Sequence, residues 1–189
     1  MKPELLDNAD EMYLVQCCRE HNPAAQRALY NRHVDSMMLL CLRYIPNQED
    51  AKEALMDGFL GFFKHIGGFT WQGQGSVRAW LSKIVVNQCL AQLRKRQPFF
   101  VQRREGEQPE PADPDDDVLG HLTAREIIAM VQRLPAGYRA VFNLYVFEGM
   151  AHREIGTLLD ISESTSKSQL HRARAMLKDQ LLKEAKIKY

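Results

Sequence analysis

The chain has 189 residues, 45% of them apolar, and a formal net charge of +1. These values suit one large or two small globular domains and exclude a collagen-like or wholly disordered chain. No apolar run approaches the roughly 18 residues of a membrane span, so membrane insertion is not expected.

In chain order, Asp10 is placed to cap a first helix through about Glu20, with Met12, Val15 and Cys18 inward. Asn22-Pro23 is a second start signal, because proline at the first helical position gives up an N–H that has no partner there. The helix that follows should reach Tyr44, burying Ala28, Leu29, Met37, Leu40, Cys41 and Tyr44, until Pro46 stops it and Asn47 caps the next. The third helix, Gln48 to about Ile66, carries Ala51, Ala54, Leu55, Phe59, Phe62 and Ile66 on its core side. Met56, Leu60 and Phe63 add apolar area next to Glu53 and Asp57. Either that helix is buried on two sides, or one side meets a partner.

Residues 67–76, GGFTWQGQGS, break the helical period. A loop so rich in glycine either presents Phe69 and Trp71 or folds them back onto the core. A fourth helix, about Val77 to Lys95, turns Trp80, Leu81, Ile84, Val85, Leu90 and Leu93 inward, with Arg78, Lys83, Asn87, Gln88, Arg94, Lys95 and Arg96 for its polar side. Aromatic rings beside a cationic helix suit unpaired nucleic acid, which needs stacking platforms and a track for phosphates.

The near-neutral total is a sum of opposed blocks. Arg78 to Arg104 holds cations and no acid, whereas Glu105 to Asp117 holds acids and no cation. The acidic block, EGEQPEPADPDDD, cannot bury a core or continue a helix through its prolines. It therefore reads as a flexible linker, dividing the chain into residues 1–96, a linker at 97–121 and residues 122–189.

The second domain opens on Thr123-Ala124-Arg125-Glu126, a capping box in which Thr and Glu satisfy each other's backbone donors. Ile127, Ile128, Val131 and Leu134 should point inward; Pro135-Ala136-Gly137 turns the chain; Tyr138 to Glu148 buries Val141, Leu144 and Tyr145, with Gly149 as C-cap. Two helices then follow in a helix-turn-helix pattern. The first aligns Ala151, Ile155, Leu158 and Leu159; Asp160 makes the turn, since Asp tolerates a left-handed backbone; Ile161 fills the core and Ser162 caps the second helix. On the second helix Ser166, Leu170, Ala173 and Leu177 face inward, while Ser164, Ser168, His171, Arg172 and Ala175 face out. Such a small, polar and cationic face suits a major groove, with phosphates met by Lys167, Arg172 and Arg174. The basic tail from Lys178 should extend this helix.

Cys17, Cys18, Cys41 and Cys89 lie in apolar helical patterns without ligand spacing and follow no signal peptide. They are expected to be thiols in a reducing cytoplasm. The histidines are scattered, so no metal, cofactor or catalytic site is expected.

The segment LPAGYRAVFNLYVFEGMAHREIGTLLDISESTSKSQLHRARAML resembles the promoter-binding C-terminal domain of bacterial RNA polymerase sigma factors of the extracytoplasmic-function (ECF) group, in the sigma-70 family. PNQEDAKEALMDGFLGFFKHI is similar to that group's polymerase-docking helix, and GSVRAWLSKIVVNQCLAQLRKR to its helix for the downstream (-10) promoter element. The resemblance implies an all-α protein of two four-helix domains that binds core RNA polymerase and promoter DNA, both duplex and unwound. It also implies a cytoplasmic location, a monomer within the holoenzyme and an anti-sigma factor as a further partner. Glu53, Met56, Asp57 and Leu60 are the implied polymerase contacts. Phe69, Trp71, Ser76, Arg78, Lys83, Asn87 and Arg94 are those to the downstream element. Ser164, Thr165, Lys167, Ser168, Arg172 and Arg174 are those to the upstream (-35) element. The linker would run through the polymerase.

Departures from the family's pattern are Met56 for Gln, Ala91 for Asp or Asn, Asp160 for Gly, Gln169 for Arg and Ser166 for Val. The Ser166 hydroxyl is expected to bond back to the Ser162 carbonyl. The rival reading is a conventional dimeric helix-turn-helix regulator, which would need a palindromic site.

Overall fold

The computed structural model describes residues 9–96 and 123–187, and every regular element among them is helical. The expected linker lies outside the described residues. The chain divides into two compact units, Met1–Gln92 and Leu93–Tyr189.

The first unit is built from α1 (Glu11–Arg19), α2 (Pro23–Tyr44), α3 (Gln48–His65), a 3-10 turn (Ile66–Gly68) and α4 (Ser76–Arg96), whose last residues continue past the division at Gln92. Asp10 stands at the N-cap of α1 but its side chain makes no capping hydrogen bond, whereas the two asparagine start signals act as their chemistry dictates. Asn22 Oδ1 accepts from the Ala24 and Ala25 N–H groups at 3.0 and 3.2 Å, and Asn47 Oδ1 accepts from Asp50 N–H at 3.0 Å. Ile45 ends α2 in an extended conformation, as a residue before proline must.

The six residues expected inside α2 are all buried, and so are the six expected on α3 and its end. α1 differs. Leu14, Val15, Cys17 and Cys18 form its buried face, and Met12, expected inward, is 54% exposed. A helix of nine residues buries one narrow stripe, and Leu14 takes the place assigned to Met12. Gly58 lets α3 and α4 approach closely, for a Cβ there would lie 2.7 Å from Val85 Cγ2. Phe62 of α3 packs on Trp80 of α4 with ring centroids 5.1 Å apart.

The second unit comprises α5 (Ala124–Gln132), α6 (Ala136–Phe142), a π turn (Asn143–Phe147), α7 (His152–Leu159) and α8 (Glu163–Ile187). Its capping box is complete: Glu126 N–H donates to Thr123 Oγ1 at 3.3 Å, and Thr123 N–H donates to Glu126 Oε2 at 2.8 Å. Met130, Val131 and Leu134 are buried, while Ile127 and Ile128 are only half-buried. α6 starts directly after Pro135, so Gly137 lies inside the helix and not in a turn. Arg139 is buried, and its Nη1 donates to the carbonyls of Gln132 at 3.1 Å and Leu134 at 2.8 Å, closing the end of α5. Burial lowers this guanidinium to about 10, which leaves it charged at neutral pH.

The π turn corrects one expectation. Glu148 N–H reaches back five residues to the Asn143 carbonyl at 3.1 Å, so the chain turns more slowly here than an α-helix. Leu144 stays buried, but Tyr145, expected inward, is rotated out to 36% exposure.

In the helix-turn-helix, Ile155 and Leu159 are buried and Leu158 is half-buried. Ala151, expected on the same face, is instead the exposed N-cap, and its N–H donates to Glu154 Oε2 at 2.8 Å. Asp160 is left-handed, with φ 57° and ψ 47°. Ile161, expected to fill the core, is half-buried. Because glycine enters the left-handed region without steric penalty, Asp160→Gly should stabilise the second unit by about 0.5 kcal/mol in urea unfolding, the relief being partly offset by glycine's larger unfolded-state entropy.

Candidate functional site

The outer face of α8 is organised by hydroxyls. Ser162 Oγ accepts from the Thr165 N–H at 3.0 Å, fixing the helix start. The same oxygen lies 2.8 Å from Ser164 Oγ and 2.7 Å from Thr165 Oγ1, and Ser168 Oγ donates to the Ser164 carbonyl at 2.7 Å. At about 100° per residue, Ser164, Ser168 and His171 form the centre of this face. Lys167 and Arg174 flank it on one side, Thr165 and Arg172 on the other.

The cations are held in different ways. Lys167 pairs with Glu163 at 2.7 Å, a half-exposed contact worth little in water and readily exchanged for a phosphate. Arg174 is exposed, its Cζ 5.9 Å from the Tyr145 ring centroid. Arg172 Nη1 donates to Tyr138 Oη at 3.3 Å, so this residue also ties α8 to α6.

The inner face is buried at Ser166, Leu170, Ala173 and Leu177. Ser166 departs from expectation: its hydroxyl lies 2.9 Å from Nδ1 of His152 on α7 and not on the Ser162 carbonyl. That carbonyl accepts the Ser166 N–H at 3.0 Å. Burial, reinforced by the charge of Lys167, lowers the His152 imidazole below its usual range and favours the neutral ring.

In the first unit the loop treats its two rings differently. Phe69 is 5% exposed and packs on Trp80 with centroids 5.2 Å apart, so it supports the loop from beneath and is withdrawn from the base-contacting set. The Arg19 guanidinium holds the loop from α1 by donating to the Phe69 carbonyl and, at 3.5 Å, to the Ile66 carbonyl. Trp71 remains accessible and lines an open cleft of about 480 Å³ with Asp10, Glu11, Arg32 and Gln74. The acids and Arg32 were absent from the sequence-based set, since nothing in the sequence signals that α1 and α2 border this loop. Ser76 is turned into the loop, donating to the Gly73 carbonyl at 2.7 Å and accepting from Gln72 N–H at 3.3 Å.

On α4, Arg78, Lys83, Asn87 and Arg94 are all exposed. Lys83, Asn87 and Arg94 fall within about 40° of one another around the helix, whereas Arg78 lies on the opposite side. A line of three polar residues therefore replaces the expected four.

On α3, Glu53, Met56, Asp57 and Leu60 share one exposed face, Leu60 being 64% exposed. Glu53 Oε2 accepts from Gln92 Nε2 at 3.1 Å. Phe63 does not join this face as a free ring, because it packs on Phe59 and Phe62 at 6.2 and 5.2 Å.

Three further titratable groups, His33, Cys18 and Cys89, are buried in the first unit. His33 is buried and meets Glu11 at 2.9 Å, and burial outweighs that carboxylate in lowering its pKa. Burial and the neighbouring Cys17 push the Cys18 thiol up to about 12, and the Cys41 contact followed by burial raises Cys89. Among the described residues no group of three His, Cys, Asp or Glu side chains could hold a metal ion, and no helix is long and apolar enough to cross a membrane.

The family model for Sigma-70 region 2 matches residues 29–99, and that for Sigma-70, region 4 matches residues 124–177. The chain is 32% identical over 156 residues to the ECF RNA polymerase sigma factor SigM of Mycobacterium tuberculosis, covering 79% of this chain and 73% of that protein. It is 28% identical to SigW of Bacillus subtilis over 78% of this chain and 83% of that one. With SigE of Mycolicibacterium smegmatis it is 27% identical, and the match spans 62% of that protein's length. In fold it is similar to the sigma factor RpoE of Bartonella quintana, solved with the anti-sigma factor NepR: TM-score 0.50, 20% identity, 83% of this chain and 96% of that one. Two dissimilar modules matched in order, together with a relative above 30% identity along most of its length, identify the chain as a member of the ECF group of sigma-70 family RNA polymerase sigma factors.

Proposed function

We propose that this sigma factor docks on core RNA polymerase through the α3 face of Glu53, Met56, Asp57 and Leu60. It then carries the enzyme to promoters by reading two DNA elements. Trp71 offers a ring to an unstacked base of the opened strand, with Lys83, Asn87 and Arg94 aligned beside that strand. Ser164, Thr165, Ser168 and Arg172 meet the upstream duplex in its major groove, with Lys167 and Arg174 on phosphates. The working modules are residues 1–96 and 122–189, and the acidic linker 97–121 follows a path built for nucleic acid. The chain contributes binding and no chemistry of its own. It works in the cytoplasm as one copy per holoenzyme, with an anti-sigma factor as a further partner.

The observation that carries this reading is the pairing, in one chain, of a helix-turn-helix with an unlike module bearing an exposed apolar and acidic face. Purified protein should co-elute with core polymerase and support run-off transcription from specific starts. Tight binding to a palindrome by the protein alone, with no polymerase association, would instead establish a dimeric regulator. Within the holoenzyme, Lys167→Ala should weaken promoter binding evenly across upstream sequences. It should also lower the log–log salt slope by about 0.9, the value for one phosphate contact. A sequence-selective loss would move Lys167 to a base edge.

A further inference from the structure

The recognition helix is held against the rest of its domain by a polar link. Ser166, on the inner face of α8, is 0% exposed, and a buried hydroxyl needs a partner. Two are within reach. A bond to the carbonyl four residues back would stay inside α8 and tie it to nothing. The bond formed instead crosses to His152 Nδ1 at 2.9 Å, on the first residue of α7. The imidazole is itself fixed, stacked on Tyr145 with centroids 4.6 Å apart and planes 21° apart. Tyr145 is available for this because the π turn rotates it outward, and Arg174 returns from α8 to lie over the same ring. A closed circuit of α8, α7 and the π turn results.

We propose that His152 is a positioning residue for promoter recognition: through Ser166 it sets the pose of α8, and thereby aims the Ser164 to Arg172 face, without itself touching DNA. This rests on α8 being the upstream reader. Loss of the imidazole lets Ser166 bond back within its own helix. The hydroxyl stays satisfied while the interhelical constraint is gone, so aim suffers more than folding does.

The test uses holoenzymes assembled with wild-type, His152→Ala, His152→Asn, Ser166→Ala and His152→Ala/Ser166→Ala chains. Each is measured on promoter fragments with an intact or a scrambled upstream element, and thermal melting is recorded for the same chains. His152→Ala should reduce the preference for the intact element about fivefold, the size of one net hydrogen bond. Asn, whose amide reaches the place of Nδ1, should restore it to within about twofold, and the double variant should be no worse than His152→Ala. Additive losses would overturn the proposal by showing that His152 acts apart from Ser166, for instance on a phosphate. An Asn variant as weak as the Ala variant at equal melting temperature would also overturn it. A wild-type holoenzyme indifferent to scrambling would remove the assignment of α8 itself, and this proposal with it.

Discussion

Replacing Gly156 with valine should dismantle the helix-turn-helix while leaving the first unit intact. Gly156 is buried in α7, and the turn passes directly over it: Ile161 N–H donates to the Gly156 carbonyl at 3.0 Å. A Cβ at this position would lie 2.8 Å from the Ile161 carbonyl oxygen, closer than real Cβ atoms come, and the obstructing atom is backbone. Two effects oppose each other on substitution. Alanine in a helix gains about 1 kcal/mol over glycine, and overpacking against a fixed neighbour loses about 1–3 kcal/mol. For alanine the clash wins narrowly, with a net loss of about 1 kcal/mol. Valine gains less in helix propensity and adds two methyl groups, so the loss should reach about 3 kcal/mol. Hydrogen exchange read by region should show lost protection in α7 and the start of α8, and unchanged protection in α2 and α3. A stabilised Gly156→Ala protein would mean that the turn yields freely and is not clamped by this contact.

The second large effect concerns polymerase. Asp57 and Leu60 are exposed on α3, so Asp57→Arg or Leu60→Asp should move the folded stability by no more than about 0.5 kcal/mol. At a docking surface the same changes reverse a charge or bury a carboxylate, which at an interface centre amounts to about 2 kcal/mol or more. Affinity for core enzyme should fall at least roughly thirtyfold in a titration, with melting temperature and upstream DNA contacts unaltered. Undiminished affinity in both variants would place the docking surface elsewhere.

Much of this architecture was legible because it obeys local rules. Asn22-Pro23, Asn47, the Thr123 to Glu126 box and Asp160 each act on atoms within four residues, and each does what its chemistry requires. Spacing also placed the exposed face of α3 and the buried side of α8. What escaped depends on residues far apart in the chain. Ser166 finds a partner fourteen residues away, in preference to the carbonyl beside it. Phe69 is buried by Trp80 and anchored by Arg19 fifty residues earlier, so a ring whose placement the loop's sequence left open becomes part of the core. Tyr145 was misplaced because a π turn delays the chain within one turn of helix, and the sequence between Asn143 and Phe147 carries no glycine or proline to announce it.

The hydroxyls of Ser162, Ser164, Thr165 and Ser168 bear on how discriminating this protein can be. Each can donate or accept by rotating one bond, so the face they form is chemically ambivalent. In the proposed role they would meet a purine N7 or an exocyclic amine with equal ease, leaving the Arg172 fork as the group that commits to one base. Their mutual contacts would have to be given up for a base edge, so each new bond would replace an old one. Under the proposed reading these hydroxyls would therefore tolerate degenerate upstream sequences, and discrimination would rest on Arg172.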